Sequence, residues 1–118
     1  MEEPRALPHT ALRVLLVEDS ENDAFLLLQE LQCGGYEIVS QRVETPEAFA
    51  AAFEDGDWDV IICDYLMPSF GALEALKLVR KRDSDHPFIV VSGLVSEDKA
   101  VEVMRAGAHD FINKKPPG

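Results

Sequence analysis

Short, continuously apolar runs recur along this chain, each followed by an amphipathic stretch, and few architectures accommodate that rhythm. "LRVLLV", "DVIIC" and "PFIVVS" have no polar face to turn to water, so they read as strands covered on both sides. "YEIVSQRV" and "DFIN" complete a set of five. Between them lie four helical patterns. The first opens at Ser20, with Asp23 three residues on in capping-box fashion. It carries Ala24, Leu27, Leu28 and Leu31 on one face and stops at Gly34 and Gly35. Thr45 and Pro46 announce the second as cap and first helical residue, with Phe49, Ala52 and Phe53 facing inward. The third, about 72–81, stripes Ala72, Ala75, Leu76 and Val79; the fourth begins near Ser96, uses Ala100, Val103 and Met104, and ends at Gly107. Strands alternating with helices are satisfied by a parallel sheet with right-handed crossovers, so the fold class is α/β, doubly wound.

At 118 residues there is room for one core, which predicts an N-terminal tail over 1–11 and a single domain over 12–118. Acidic residues outnumber basic ones 22 to 11, and a formal charge of -11 repels phosphate backbones and anionic lipid alike. Direct binding to nucleic acid or membrane is therefore not expected. The start "MEEPRALPHTA" is acidic where a secretory signal is basic and then apolar, and no run approaches the length of a membrane span; the reading is a soluble cytoplasmic protein. Cys33 and Cys63 form no metal spacing, and Cys63 falls inside an apolar strand, where a buried, reduced thiol is expected. The sequence given stops at "KKPPG", directly after the fifth strand, without a fifth helix. A doubly wound sheet needs both faces covered, so either the chain is a piece of a longer one or a partner shields that side.

Two strands end in acids: "LLVEDS" delivers Glu18 and Asp19, and "IICDYLMP" delivers Asp64. Either could be structural, the pair complementing a helix N-terminus and Asp64 forming a turn. Ser92 alone could be a loop hydroxyl, and Lys114 a surface charge. All five, however, sit at the C-terminal ends of four different strands, the edge where sheets of this kind place their ligands. If the first and third strands are neighbours, three carboxylates converge and call for a cation, and an oxygen-only donor set suits Mg²⁺. A metal, a carboxylate nucleophile, a hydroxyl and an ammonium make a phosphoryl-transfer site, with Asp64 as nucleophile.

The stretches "VLLVEDS", "DYLMP", "VVSG" and "GAHDFINK" follow one another at intervals that resemble the response-regulator receiver domains of two-component signalling, from Arg13 to about Lys114. The "DYxxPxF" and "GAHD" wording is similar to receivers attached to sensor kinases or other multidomain signalling proteins. The resemblance implies a flavodoxin-like five-stranded parallel sheet of order 2-1-3-4-5. It also implies that Asp64 accepts a phosphoryl group from a kinase phosphohistidine, with Mg²⁺ (or Mn²⁺) held by Asp19 directly, Glu18 through water, Asp64 and the Leu66 backbone carbonyl. Ser92 would hydrogen-bond the phosphoryl group, Lys114 would pair with it, and Phe111 would be the switch aromatic that moves with Ser92. Such a domain is a phosphoacceptor rather than a turnover enzyme. Its partners would be a histidine kinase or phosphotransfer protein and an output domain or effector, and a homodimer is compatible with it.

This chain departs from the family in two places besides the missing helix. The family's lysine is normally followed by proline, whereas Lys115 follows Lys114; a one-residue shift would make Lys115 the functional lysine, and the spacing from Gly107 favours Lys114. Leu66 and Leu94 stand where polar side chains often orient the hydrolytic water, which implies slow loss of the phosphoryl group. An aspartyl-phosphate hydrolase would carry a second acid two residues after the nucleophile, and that residue is Leu66. A module that has lost the chemistry would not keep all five positions. Flavin binding is disfavoured by the acidic "EDSEND" where a phosphate loop offers small residues and free amides.

Overall fold

The computed structural model describes residues 11–65, 70–82, 85–93 and 97–113. Five strands and four helices alternate: β1 (Leu12–Val17), α1 (Glu21–Cys33), β2 (Ile38–Val43), α2 (Pro46–Asp55), β3 (Val60–Asp64), α3 (Ala72–Arg82), β4 (Phe88–Ser92), α4 (Glu97–Arg105) and β5 (Asp110–Asn113). All neighbouring strands are parallel, in the order β2-β1-β3-β4-β5. The first and third strands are thus adjacent, as the convergence of acids required.

The capping residues act as their sequence context implies. Ser20 Oγ accepts from the Asp23 N–H and Thr45 Oγ1 from the Ala48 N–H, each meeting one donor that an α-helix leaves open at its start. At the other end of α1, Gly35 takes φ +99°, a left-handed conformation that glycine adopts without a Cβ clash.

The sheet divides two cores. On one side Phe49, Ala52, Ala75, Leu76, Val79 and Val103 of α2, α3 and α4 pack against Leu15, Val17, Ile61, Phe88 and Val90. On the other, Ala24 with the partly buried Leu27, Leu28 and Leu31 of α1 covers Val14, Leu16, Ile62 and Val91. Among the described residues α1 is the helix on that second side, and Ile112 of β5 is 47% exposed. One helix-face assignment and one strand start need correction. Met104 is 41% exposed, because Val103, one position earlier and fully buried, already takes the core-facing direction of this short helix. Strand β2 begins at Ile38, leaving Tyr36 outside it and exposed. The expected start of the fourth helix near Ser96, residues 1–10 of the tail expected over 1–11, and residues 114–118 lie outside the described residues.

The "GAHD" turn has a structural explanation. Gly107 has φ +114°, and a Cβ there would lie 3.1 Å from Arg80 Nε. The Arg80 guanidinium donates to the carbonyls of His86 and Gly107 at 2.9 and 2.6 Å and lies 3.3 Å from His109 Nδ1, which also accepts from the Phe88 N–H at 3.2 Å. One side chain from α3 thereby joins the entrances of β4 and β5, at the edge of the sheet opposite the acids.

Candidate functional site

Register decides what meets at the C-terminal edge. Val17 pairs with Cys63, which carries Glu18 level with Asp64, and the Asp64↔Val91 pairing sets Ser92 just beyond on the next strand. Oxygens of Glu18, Asp19 and Asp64 lie within 4.8 Å of one another. Glu18 is 1% and Asp64 6% exposed, while Asp19 faces solvent. At an effective dielectric of 20, the buried pair at such a separation repels by about 3.5 kcal/mol. An arrangement with that repulsion built in suits a cation, and three carboxylates with one open to water fit a hard, partly hydrated ion such as Mg²⁺.

Glu18 is held in position from several sides. Its N–H donates to Val43 O at 3.1 Å, continuing the ladder beyond β1; its Oε2 accepts from the Ser20 N–H at 3.2 Å; and its carbonyl accepts from Arg42 at 3.0 Å. Ser92 is fully buried, and its Oγ has no hydrogen-bond partner among the described residues. A buried hydroxyl without a partner is uncommon in a native interior and calls for an explanation. Phe111 is half-buried with its ring edge-on to Tyr65, centroids 6.4 Å apart, so the residue after Asp64 touches the expected switch aromatic. Burial, reinforced by the charges of Asp64 and Glu18, pushes the Cys63 thiol far above its ordinary range; it stays protonated, with Sγ 3.4 Å from the Asp64 carbonyl.

Three of the expected site residues, Glu18, Asp19 and Asp64, therefore come together, Ser92 ends the neighbouring strand at the same edge, and Phe111 packs against Tyr65. Leu66, Leu94, Lys114 and Lys115 lie outside the described residues. Sequence reasoning overlooked Arg42, whose signal was a single cation near the end of an otherwise neutral strand.

Comparison with known proteins decides the family: residues 14–117 match the response regulator receiver domain. The chain belongs to that family. Chemotaxis protein CheY of Thermotoga maritima is 29% identical to this receiver over 102 residues, covering 86% of it and 84% of CheY. The transcriptional regulatory protein YkoG of Bacillus subtilis is 33% identical, but the receiver spans 43% of YkoG's length, and 22% of the 34%-identical response regulator FleR of Pseudomonas aeruginosa. Among solved structures, a response regulator from Hahella chejuensis superposes with TM-score 0.78 at 27% identity, covering 87% of this chain and 80% of that one. FixJ-N does so with TM-score 0.75 at 30% identity, covering 92% and 85%. The flavodoxin-like order read from the resemblance is thus the observed one.

Proposed function

We propose that this receiver takes a phosphoryl group onto Asp64 from a phosphohistidine of a kinase or phosphotransfer protein. The observation that carries the reading is the buried Asp64 carboxylate, grouped with Glu18 and Asp19 and one strand away from a buried Ser92 hydroxyl that has no partner among the described residues. A carboxylate oxygen of Asp64 attacks phosphorus, and the phosphorus–nitrogen bond to the donor imidazole breaks as the new phosphorus–oxygen bond forms. The departing nitrogen keeps the electron pair and is protonated from solvent. Mg²⁺ would supply positive charge against the carboxylates and the phosphoryl oxygens, with Asp19 as direct ligand and Glu18 acting through water. Ser92 Oγ donates to a phosphoryl oxygen, and Lys114 pairs with another. The inward movement of Ser92 and Phe111 then biases the loop and helix after β4 and alters the surface offered to an output domain or effector.

Incubation with acetyl phosphate and Mg²⁺, followed by intact mass measurement, is expected to show one phosphate-sized addition that chelation of the metal prevents. No addition under any metal concentration would refute the proposal. Ser92→Ala is expected to shift stability by less than about 0.5 kcal/mol, since among the described residues its hydroxyl makes no hydrogen bond, yet to slow phosphorylation by about tenfold or more. Chemical denaturation and the time course of the mass change read the two effects separately.

A further inference from the structure

Arg42 stands at an electrostatically awkward place. Strand alternation puts it on the α1 side of the sheet with Leu16, its register partner, and its guanidinium reaches the beginning of α1. The N-terminal end of a helix carries partial positive charge, so a cation there does not serve the helix. What the guanidinium does contact is the loop that carries the acids. One nitrogen donates to the Glu18 carbonyl at 3.0 Å and lies 3.3 Å from a Glu44 carboxylate oxygen; the other lies 3.4 Å from a Glu21 carboxylate oxygen. The arginine side chain is 28% exposed, whereas those of Glu21 and Glu44 are 86% and 52% exposed. Ion pairs of that exposure contribute little by themselves. The bond to the Glu18 carbonyl is the more sheltered contact, and it fixes the peptide joining Glu18 to Asp19.

We infer that Arg42 is a positioning residue for the divalent-cation site: through the Glu18 carbonyl it sets the direction in which the Glu18 and Asp19 carboxylates leave the end of β1. The inference rests on the metal reading given above. It makes a prediction of definite sign. A positive charge close to a cation site opposes binding through space, so removing it tightens Mg²⁺ binding if charge is all that Arg42 contributes. If Arg42 orients the ligands, its removal weakens binding in spite of the more negative surroundings. Lysine keeps the charge but not the planar fork that reaches three acceptors together, so it restores orientation only in part.

The test is calorimetric titration of the unphosphorylated chain with Mg²⁺ alone, for wild type, Arg42→Ala and Arg42→Lys, with far-UV circular dichroism to verify the fold. Arg42→Ala is expected to weaken Mg²⁺ binding by about tenfold, the range seen when groups supporting a metal ligand are lost, and Arg42→Lys by about threefold. If Arg42→Ala does not fold, Arg42→Lys carries the test alone. Binding as tight as wild type, or tighter, in a folded variant overturns the inference while leaving the metal reading intact. A wild type that binds no Mg²⁺ overturns both.

Discussion

Asp64→Asn is expected to gain no phosphate-sized mass with acetyl phosphate and Mg²⁺, and to melt at a higher temperature than wild type in metal-free buffer. The first result follows from chemistry: an amide lacks the anionic oxygen that attacks phosphorus. The second follows from crowding. The substitution lowers the number of negative charges within 4.8 Å from three to two and removes the charge that lies beside buried Glu18. Relief of that repulsion is expected to stabilise the metal-free protein by about 1–2 kcal/mol, which for a domain of this size raises Tm by roughly 4–8 °C. Adding Mg²⁺ should narrow the difference, because binding to the native state stabilises wild type more than a variant with one carboxylate fewer. Loss of activity with gain of stability is what a strained functional site produces. Phosphate incorporation by Asp64→Asn, or a lower Tm in chelator, would contradict the respective half.

Arg80→Ala is expected to do the reverse. It deletes charge-assisted hydrogen bonds to the carbonyls of His86 and Gly107 and the contact with His109, and uncovers the turn at Gly107. Partly buried acceptors left without their donor bring the expected loss to about 2–3 kcal/mol, visible as a lower urea midpoint. Arg80→Lys should recover little, since an ammonium is a point charge and cannot reproduce the spread of the fork. The clamp lies where β4 and β5 begin, so below its melting temperature Arg80→Ala is expected to accept phosphoryl at close to the wild-type rate. A rate drop as large as that of Ser92→Ala would mean that the two edges of the sheet are coupled.

Much of the fold could be read along the chain because the signals were local. The apolar runs, the caps at Ser20 and Thr45 and the stop at Gly35 each specify their own neighbourhood, and the structure places them accordingly. Met104 misled because a helix of 9 residues gives its periodicity few turns in which to distinguish adjacent positions. Strand order is not local. Nothing in "LLVEDS" or "IICDYLMP" states that their strands are neighbours; family resemblance supplied the order, and the Val17↔Cys63 register shows the pairing. Arg42 escaped notice for a related reason: its acceptor is a main-chain carbonyl 24 residues away, and carbonyls leave no mark in a sequence.

The thiol beside the acids bears on which atom can carry the modification. Sulfur is the stronger nucleophile only as thiolate. Cys63 is shut inside the sheet, and the negative field of Asp64 and Glu18 discourages it from releasing its proton. Burial first, and then the neighbouring carboxylates, thus keep the sulfur next to Asp64 protonated, so that under the proposed chemistry an electrophile arriving at this rim meets oxygen rather than sulfur.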